Sequence, residues 1–578
     1  MRNRFNTIFN YSVKHVCELA LIICLLYSYF QPVHDHPWER IIKADGLGYY
    51  SYLPAAFIYH DFQYSFTKDI VKKHPRTDFG GGFTKDTDNG KVNKYFVGLS
   101  ILWFPFFLIA HFLSFLLGFP TDGYSLLYQL FILASANFYL WLGCRYTRKL
   151  ILEYSISEKV AAVIILLTVF ATNLFFYVTV DSALSHAYSF AIIAACLYFW
   201  KQFLQTKKIK HLYLTLFLFG LVLLIRPTNI VVCLMFLFFA SNLKTFWDTL
   251  RGLKIKEILI AGVIFLLTIF PQFLVYYLQT GHFIVWSYGD ERFFFDNPQL
   301  FNVLFSYQKG LFIYTPLVLV ALFGLIYLFK INKFQFSIMC LFLFLSTYII
   351  SSWWCWYYGA SLGLRAFVDY YSILALLMTF LYLNFEKPLY KKTLLIIAPI
   401  FIIHTLILMH QYRHSIISWA SMNKQKFWFS FLKISKDYEG LVYSDALFSE
   451  NEPTHIIHIK TSQNKFVCSE RNAEGSIVAD KDVASSWETF NMISLSSNTI
   501  ALKSEDGGYV SSVINESGVI RHSAKEIKEW ETFQLVSMGK DVFLLKACNN
   551  KYVRLSGTKL FADADNFSEG EHFTIIKL

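Results

Sequence analysis

The segment 34-HDHPWERIIKADGLGYYSYLPAAFIYHDF-62 directly follows the first long apolar run of the chain, at the point where a membrane helix would leave the lipid. Asp45 lies in this segment, next to two glycines and the tyrosine-rich run 49-YYSY-52. An ionisable side chain at the mouth of an apolar bundle is costly to place and is a functional candidate by default. We therefore expect this segment to form the chemical centre of the protein.

Composition separates the chain into two parts. Of its 578 residues, 55% are hydrophobic and 16% are charged, and the mean hydropathy is +0.41, which is too apolar for a wholly soluble protein. The apolar runs stop near Met422. We predict a helical membrane domain over residues 1–430, a linker over 431–454 and a soluble-type domain over 455–578.

Charge and cysteine content exclude several function classes. The formal net charge is +11, but the basic residues cluster in short connectors between apolar runs, which is a topology signal rather than a sign of nucleic-acid binding. The nine cysteines show neither metal-site spacing nor a paired framework. We predict no metal ligands from them.

Twelve apolar runs are long enough to be considered as membrane spans. If all crossed, the basic connectors would fall on opposite faces of the membrane, which the positive-inside rule disfavours. Placing the run 96-FVGLSILWFPFFLIAHFLSFLLG-118 in the outer interface, or making it re-entrant, turns the basic loops inward. This predicts about eleven spans, a first outer loop over 34–122 and an outer C-terminus. The runs lie near residues 16–33, 96–118, 123–144, 160–178, 184–203, 211–225, 228–241, 257–278, 312–329, 335–352, 366–384 and 393–411.

With this topology, the polar residues at membrane depth fall around one outward cavity. We predict Asp45 as the catalytic group, a general base for an acceptor hydroxyl, with its glycines letting the backbone approach a ligand. A helix cap is the alternative for Asp45. The predicted substrate-binding residues are Arg226, Arg365, Tyr49, Tyr50, Glu39, His186 and Asp369.

Several candidate residues also have an alternative explanation. Arg226 ends an apolar run and could snorkel to the interface. Arg365 has Asp369 one helical turn further on and could pair with it. Asp181 with His186 suits a second acidic or metal-binding element, although two ligands do not make a site. The aromatic cluster 353-WWCWYY-358 suits an interfacial belt as well as sugar stacking.

The C-terminal part contains an internal repeat. The segments 459-IKTSQNKFV-467, 502-LKSEDGGYV-510 and 545-LKACNNKYV-553 recur every 43 residues, and related closing blocks, 487-WETF-490, 530-WETF-533 and 570-GEHF-573, follow them. Three copies with alternating apolar residues and turn residues predict a threefold all-β domain. The repeat resembles that of the fascin-like β-trefoil, which implies four strands per copy.

The helical part resembles the GT-C superfamily of membrane glycosyltransferases, and within it family 39, which includes protein O-mannosyltransferases and aminoarabinose transferases. The resemblance rests on 45-DGLGYYSYLP-54, on 226-RPT-228 and on 358-YGASLGLRAFVD-369. It implies that Asp45 is the base, that Arg226 and Arg365 bind lipid phosphate, and that the anomeric centre is inverted. The family commonly has an Asp-Glu pair where Gly46 follows Asp45 here, which leaves a second acidic role and a divalent metal requirement open.

The sequence therefore predicts a glycosyltransferase that moves a sugar from a polyprenyl-phosphate donor to a hydroxyl of a glycan, lipid or protein. We expect it in the cytoplasmic membrane, with the β domain on the periplasmic or extracytoplasmic side. The β domain is expected to hold a glycan or protein or to serve only in packing. Two alternatives are a lipid-linked glycan flippase or transporter, and a membrane-anchored carbohydrate- or protein-binding scaffold without catalysis.

Overall fold

The computed structural model describes residues 11–30, 40–75, 82–289, 291–443, 448, 454–470, 475–495, 498–539 and 541–578. The predicted substrate-binding residue Glu39 lies outside these residues. The chain divides into two compact units, Met1–Met409 and His410–Leu578. This division falls before the predicted boundary at residue 430.

The first unit is built from helices, with one short hairpin formed by β1 (Thr84–Thr87) and β2 (Gly90–Asn93). A π-helix, Ala55–Tyr59, and two 3-10 helices, Pro227–Cys233 and Arg365–Tyr370, interrupt or precede the α-helices. The α-helices are α1 (Val16–Phe30), α2 (Asp45–Pro54), α3 (Thr67–Lys73), α4 (Gly98–Leu117), α5 (Leu126–Leu152), α6 (Glu158–Phe170), α7 (Leu174–Thr179), α8 (His186–Thr206), α9 (Ile209–Ile225), α10 (Leu234–Ala240), α11 (Leu243–Arg251), α12 (Ile255–Thr280), α13 (Leu300–Phe305), α14 (Leu311–Tyr314), α15 (Pro316–Leu322), α16 (Leu325–Ile331), α17 (Lys333–Ser352), α18 (Tyr371–Asn384) and α19 (Pro388–Arg413), the last of which runs into the second unit.

All twelve predicted apolar runs contain helix. Among the described residues, 7 helices are long and apolar enough to cross a membrane, or up to 8 if a pair bent by 98° near Ser241 is one span. Three further apolar helices are shorter, at 10–17 residues. The helical unit is thus compatible with a membrane protein, and eleven crossings stay a prediction. The seven segments are Gly98–Leu117, Leu126–Leu152, His186–Thr206, Ile255–Thr280, Lys333–Ser352, Arg365–Asn384 and Lys391–Arg413.

Helix α4 differs from the re-entrant element considered for the run 96–118. It continues unbroken through Pro105 over 20 residues, which is enough to cross a membrane. His111 of this run has its Nδ1 atom 2.6 Å from the Tyr128 hydroxyl of α5. A neighbouring helix therefore provides a partner for this imidazole, and whether α4 crosses the membrane or lies flat stays a prediction.

The second unit is an all-β domain preceded by a short helix, α20 (Lys424–Ser430). Among its described residues, twelve strands form one antiparallel sheet, which confirms that this part is all-β. The strands are β3 (Thr454–Lys460), β4 (Phe466–Ser469), β5 (Ile477–Lys481), β6 (Thr489–Ser494), β7 (Thr499–Ser504), β8 (Tyr509–Val513), β9 (Val519–Ala524), β10 (Phe533–Gly539), β11 (Val542–Lys546), β12 (Tyr552–Ser556), β13 (Lys559–Ala564) and β14 (Phe573–Lys577).

The strand pairing of this domain repeats three times. Strands β3, β6, β7, β10, β11 and β14 pair in that order, and β14 pairs back to β3, so these strands close into a ring. Each remaining pair, β4–β5, β8–β9 and β12–β13, forms a hairpin. One core receives equivalent residues from each repeat: Val467, Val510 and Val553, and Phe490, Phe533 and Phe573, are all buried.

Candidate functional site

The helical unit contains a cavity of about 340 Å³. This volume suits a small ligand or part of a larger one. The walls come from the start of α2, the residues before α4, the start of α8, the end of α9, and two loops, 285–293 and 353–365. Five predicted site residues line it together: Asp45, Tyr49, His186, Arg226 and Arg365.

Asp45 makes two polar contacts across the cavity. Its Oδ1 accepts a hydrogen bond of 2.8 Å from the Tyr95 hydroxyl, and its Oδ2 lies 2.8 Å from Nη2 of Arg365. Burial opposes ionisation of this carboxyl, but the Arg365 charge and the Tyr95 hydrogen bond outweigh burial, so its pKa lies below the ordinary value. The carboxylate is therefore ionised at neutral pH and is 30% exposed towards the cavity.

The glycines beside Asp45 allow close packing between protein segments. A Cβ atom on Gly48 would lie 2.1 Å from the Tyr95 ring, and one on Gly46 would lie 2.7 Å from the Ala183 Cβ. The two glycines therefore make room for Tyr95 and Ala183, whereas the sequence analysis expected them to let the backbone approach a ligand. Helix α2 begins at Asp45 itself, and because the carboxylate contacts Tyr95 and Arg365, the helix-cap alternative does not describe its position.

Arg365 stands at the end of a loop that buried polar side chains hold in place. The Leu362 carbonyl accepts hydrogen bonds from Asn173, at 2.9 Å, and from the Tyr177 hydroxyl, at 3.1 Å. The Lys309 ammonium donates to the neighbouring Ser361 carbonyl. Residues from distant parts of the chain thus fix the backbone that presents the guanidinium to the cavity.

Lys309 is a buried cation behind this loop. It is only 2% exposed. Burial lowers its pKa to about 7, and the positive charge of Arg365 acts in the same direction. A small change of pH around neutrality therefore alters the charge directly behind the cavity wall.

Asp369 lies behind the cavity in a buried polar network. Its Oδ1 is 2.8 Å from His186 Nδ1, its Oδ2 accepts a 2.8 Å hydrogen bond from Asn229, and Arg226 Nη1 is 3.7 Å from the same Oδ2. The predicted alternative of an Arg365–Asp369 pair is not formed, because Arg365 turns to Asp45. Asp369 acts here as a partner for His186 and Arg226.

Arg226 points into the protein. Its side chain is only 16% exposed, lines the cavity and lies 5.7 Å from the centre of the Tyr358 ring, so it does not have the exposed end of a snorkelling arginine. The residue caps α9 with an extended backbone, and a 3-10 helix begins at Pro227. Arg226 thus reaches the cavity from the end of α9.

The loops 285–293 and 353–365 form an aromatic wall of the cavity. Phe293 and Trp353 pair as an isolated β-bridge. Glu291 lies 3.2 Å from the Lys94 ammonium and accepts a hydrogen bond of 3.4 Å from the Trp354 indole. A side-chain hydrogen bond and strand-like pairing therefore join the two loops, and the ion pair connects the first loop to Lys94. The aromatic residues of this wall are Trp286, Tyr288, Phe293, Trp353, Trp354 and Tyr358.

Two sequence predictions about the site differ from the structure. Tyr50 is fully buried among Trp103, Phe107 and Tyr124 rather than placed on the cavity wall. The pair of Asp181 with His186 does not form either. Asp181 makes a 2.7 Å ion pair with Lys43 instead, while His186 contacts Asp369. Among the described residues, no cluster of three His, Cys, Asp or Glu side chains could hold a metal ion.

The sequence predictions missed Lys94 and Tyr95 as site residues. Both line the cavity, and Tyr95 is the direct hydrogen-bond donor to Asp45. A signal was present, because these residues stand immediately before the apolar run 96–118, where a side chain would leave the lipid on the same face as Asp45.

No protein-family profile matches, and no curated protein matches. Among solved structures, the designed threefold-symmetric protein ThreeFoil is 9% identical, with a TM-score of 0.20, over 21% of this chain and 99% of that protein. A Polyporus squamosus lectin, bound to a human-type influenza-binding epitope, is 14% identical, with a TM-score of 0.20, over 22% of this chain. The match spans about half of that lectin, 51%. Neither likeness bears on function at this TM-score.

Proposed function

We propose that the helical unit is an integral-membrane glycosyltransferase that uses a polyprenyl-phosphate sugar. The observation that carries the proposal is one cavity in which an ionised carboxylate, Asp45, and two guanidinium groups, Arg226 and Arg365, face an aromatic wall. These are the groups that deprotonate a hydroxyl, hold a phosphate and stack on a sugar ring. The GT-C resemblance described above supports the same proposal.

In the proposed reaction, Asp45 takes the proton of an acceptor hydroxyl. The acceptor oxygen forms a bond to the anomeric carbon as the bond from that carbon to the phosphate oxygen breaks, with inversion. The electron pair leaves with the polyprenyl phosphate, and the proton stays on Asp45 until it passes to solvent. Atoms and charge balance without an oxidant or another co-reactant.

Arg365 and Arg226 would stabilise the leaving phosphate. Negative charge develops on the phosphate as the bond breaks, and a guanidinium remains protonated and donates two hydrogen bonds from a rigid plane. Arg365 also holds Asp45 ionised, at 2.8 Å. A bound phosphate that attracts Arg365 would weaken this ion pair and make Asp45 a stronger base. Donor binding would then prepare the base for the acceptor.

We infer that the C-terminal domain is a β-trefoil of the fascin-like type. A closed ring of six strands with three hairpins, and equivalent core residues from three repeats, support this inference. Its role would be to hold a glycan or protein, or only to pack, on the periplasmic or extracytoplasmic side of the cytoplasmic membrane. Carbohydrate binding by this domain would need its own test.

The decisive experiment compares Asp45→Asn with Asp181→Asn in the purified full-length protein. Asp181 is a matched control because it is an ion-paired carboxylate that does not line the cavity. With a panel of polyprenyl-phosphate sugars, Asp45→Asn should lower sugar transfer or release by about 10²- to 10⁴-fold, as expected for loss of a general base. Asp181→Asn should retain most of the activity.

Two outcomes would contradict this proposal. Full turnover by Asp45→Asn would remove the proposed base. Movement of an intact lipid-linked glycan between leaflets without sugar release would favour the flippase or transporter.

For the arginines, Arg226→Gln and Arg365→Gln should lose donor binding, whereas Arg292→Gln should not, because Arg292 does not line the cavity.

A further inference from the structure

The segment after the last apolar helix carries an exposed apolar surface. We define the collar as residues 414–443, which lie in the second unit. Single exposed apolar residues are ordinary on a protein surface, but a cluster of large ones within one short segment indicates a partner. The exposed members, with their exposed fractions, are Trp419 (40%), Trp428 (54%), Phe431 (37%), Leu432 (52%), Ile434 (60%) and Tyr443 (45%).

Hydrogen bonds tie the collar to the end of α19. The Gln411 side-chain amide donates to the Lys433 carbonyl at 2.8 Å and also to the Ser430 carbonyl. The His410 Nε2 atom lies 3.1 Å from the Ile434 carbonyl. Lys391–Arg413 is apolar and long enough to cross a membrane. The segment that carries Phe431, Leu432 and Ile434 is therefore held beside the end of this helix.

The backbone at Leu432 is held in an unfavourable conformation. Its φ is +60°, a left-handed conformation that is uncommon for bulky side chains. The two carbonyls that Gln411 binds, those of Ser430 and Lys433, flank this residue. Such strain persists only where surrounding contacts fix it and often accompanies function. Phe431 and Leu432 lie in this turn, and both side chains are exposed.

Basic residues surround the apolar ones. Lys424, Lys433 and Lys436 are exposed within the collar. Two acidic residues, Asp437 and Glu439, lie close to them in the sequence. Asp437 accepts a hydrogen bond from the Ser435 hydroxyl at 2.8 Å, and Glu439 is paired with His414 at 2.8 Å. Large aromatic and aliphatic side chains flanked by lysines are typical of a protein surface that lies in the headgroup region of a bilayer. The lysines suit anionic headgroups.

Other residues of the collar pack on the β domain. Leu441 and Phe448 form a small core with Ile456 of β3, and Phe429 and the C-terminal Leu578 pack against it. The same segment thus contacts the β domain through some of its side chains and exposes others. A membrane contact by the collar would fix the β domain at the membrane surface.

We propose that the collar binds the bilayer interface, with its aromatic and aliphatic side chains among the headgroups and its lysines on anionic lipid. It anchors the β domain at the membrane where the last helix emerges. This proposal does not depend on the glycosyltransferase activity.

The test places a photocrosslinking amino acid, p-benzoylphenylalanine, at three positions of the full-length protein in nanodiscs of phosphatidylcholine and phosphatidylglycerol. Position 428 reports on the collar. Position 483 is the matched control, because Val483 is 74% exposed on the β domain, and position 400 on α19 is the positive control, because Ile400 is 63% exposed. After irradiation, mass spectrometry should find lipid adducts at 428 and 400 and none at 483.

Lipid adducts at 400 without any at 428 would overturn the proposal, as would adducts at 428 to another protein chain.

The contribution of the lysine charges is measured separately, by the choice between the two lipids. In the unsubstituted background, phosphatidylglycerol should exceed phosphatidylcholine among the adducts at 428. Lys424→Gln and Lys433→Gln should each reduce that preference, by about fivefold for a lysine at an anionic surface. Equal amounts of adduct with the two lipids, in the protein without lysine substitutions, would contradict binding to anionic headgroups.

Discussion

Asp45 and Tyr95 form the smallest unit on which the proposed chemistry depends. The Tyr95 hydroxyl and the Arg365 guanidinium both act on one carboxylate, and both stabilise its charged form. A base in this setting is ionised at neutral pH but weaker than a carboxylate without partners. Its reactivity is therefore set by how firmly these two partners remain bound when a substrate arrives.

Tyr95→Phe removes the hydroxyl while keeping the ring that fills the space over Gly48. Because that hydrogen bond helps to lower the pKa of Asp45, its loss should raise the pKa. The acid limb of the pH–activity profile should then move to higher pH. Hydrogen bonds to charged groups contribute about 1.5–3 kcal/mol, which corresponds to roughly 1 to 2 pH units.

The control for Tyr95→Phe is Tyr139→Phe, which removes a buried hydroxyl outside the cavity that donates to the Leu102 carbonyl at 3.3 Å. It should leave the profile in place. An unchanged acid limb in Tyr95→Phe would mean that a group other than Asp45 controls it.

Lys309 gives a pH dependence of stability. Burial lowers its pKa to about 7 from an ordinary value of 10.5. Between these two values the unfolded chain binds the proton and the folded chain does not, so stability should rise with pH across this range, by up to about 1.4 kcal/mol per unit. Lys309→Met should remove this rise, and should be the more stable protein below pH 7.

The measurement is the apparent melting temperature in detergent from pH 6 to pH 10, compared between the two proteins at each pH. The exposed Lys68→Met, with a side chain in solvent, should follow the unsubstituted protein. If the melting temperature of Lys309→Met changed with pH as that of the unsubstituted protein does, the assignment of this titration to Lys309 would be contradicted.

At the scale of elements, α2 and the residues before α4 approach each other without space for another carbon atom. Gly48→Ala would place a Cβ atom 2.1 Å from the Tyr95 ring, which must then move and take its hydroxyl away from Asp45. Displacements of about 1 Å at a catalytic group cost on the order of 10²-fold in rate. We expect Gly48→Ala to lose activity on that scale, measured as sugar transfer.

Gly262→Ala is the matched control, because this glycine lies within α12 and has no atom within 4 Å of the added Cβ. It should keep full activity and gain about 0.5–1 kcal/mol of stability from the better helix former. Full activity in Gly48→Ala would show that Tyr95 can shift without consequence.

At the scale of the whole molecule, the β domain has a core made only of its own residues. We expect residues 454–578 to fold when expressed alone. Phe490→Ala, Phe533→Ala and Phe573→Ala should each lower its free energy of unfolding by about 3–5 kcal/mol, since all three are buried at equivalent positions. Urea unfolding measures this, and the exposed Val483→Ala should change little. A large difference among the three would contradict the threefold equivalence.

The predicted orientation in the membrane can be checked with a reporter fused after Leu578. If the β domain lies outside the cytoplasm, a reporter that works only there should be active. Cytoplasmic activity would contradict the count of crossings derived from the basic connectors.

The sequence by itself determined the division into a helical apolar part and an all-β part, because composition and local periodicity depend only on neighbouring residues. Each predicted apolar run contains helix, and the 43-residue repeat became three sets of four strands. The sequence also indicated Asp45, Arg226 and Arg365 as candidate site residues, because a charge beside lipid is costly whatever the tertiary fold.

Only the tertiary structure decided which of these groups meet. Arg365 pairs with distant Asp45 rather than with Asp369 one turn away, because the loop before it is held by Lys309, Asn173 and Tyr177. Tyr49 faces the cavity and Tyr50 the core, since neighbouring residues on a helix point about 100° apart. Partners chosen across the fold depend on how helices pack, and no local pattern of residues encodes that packing.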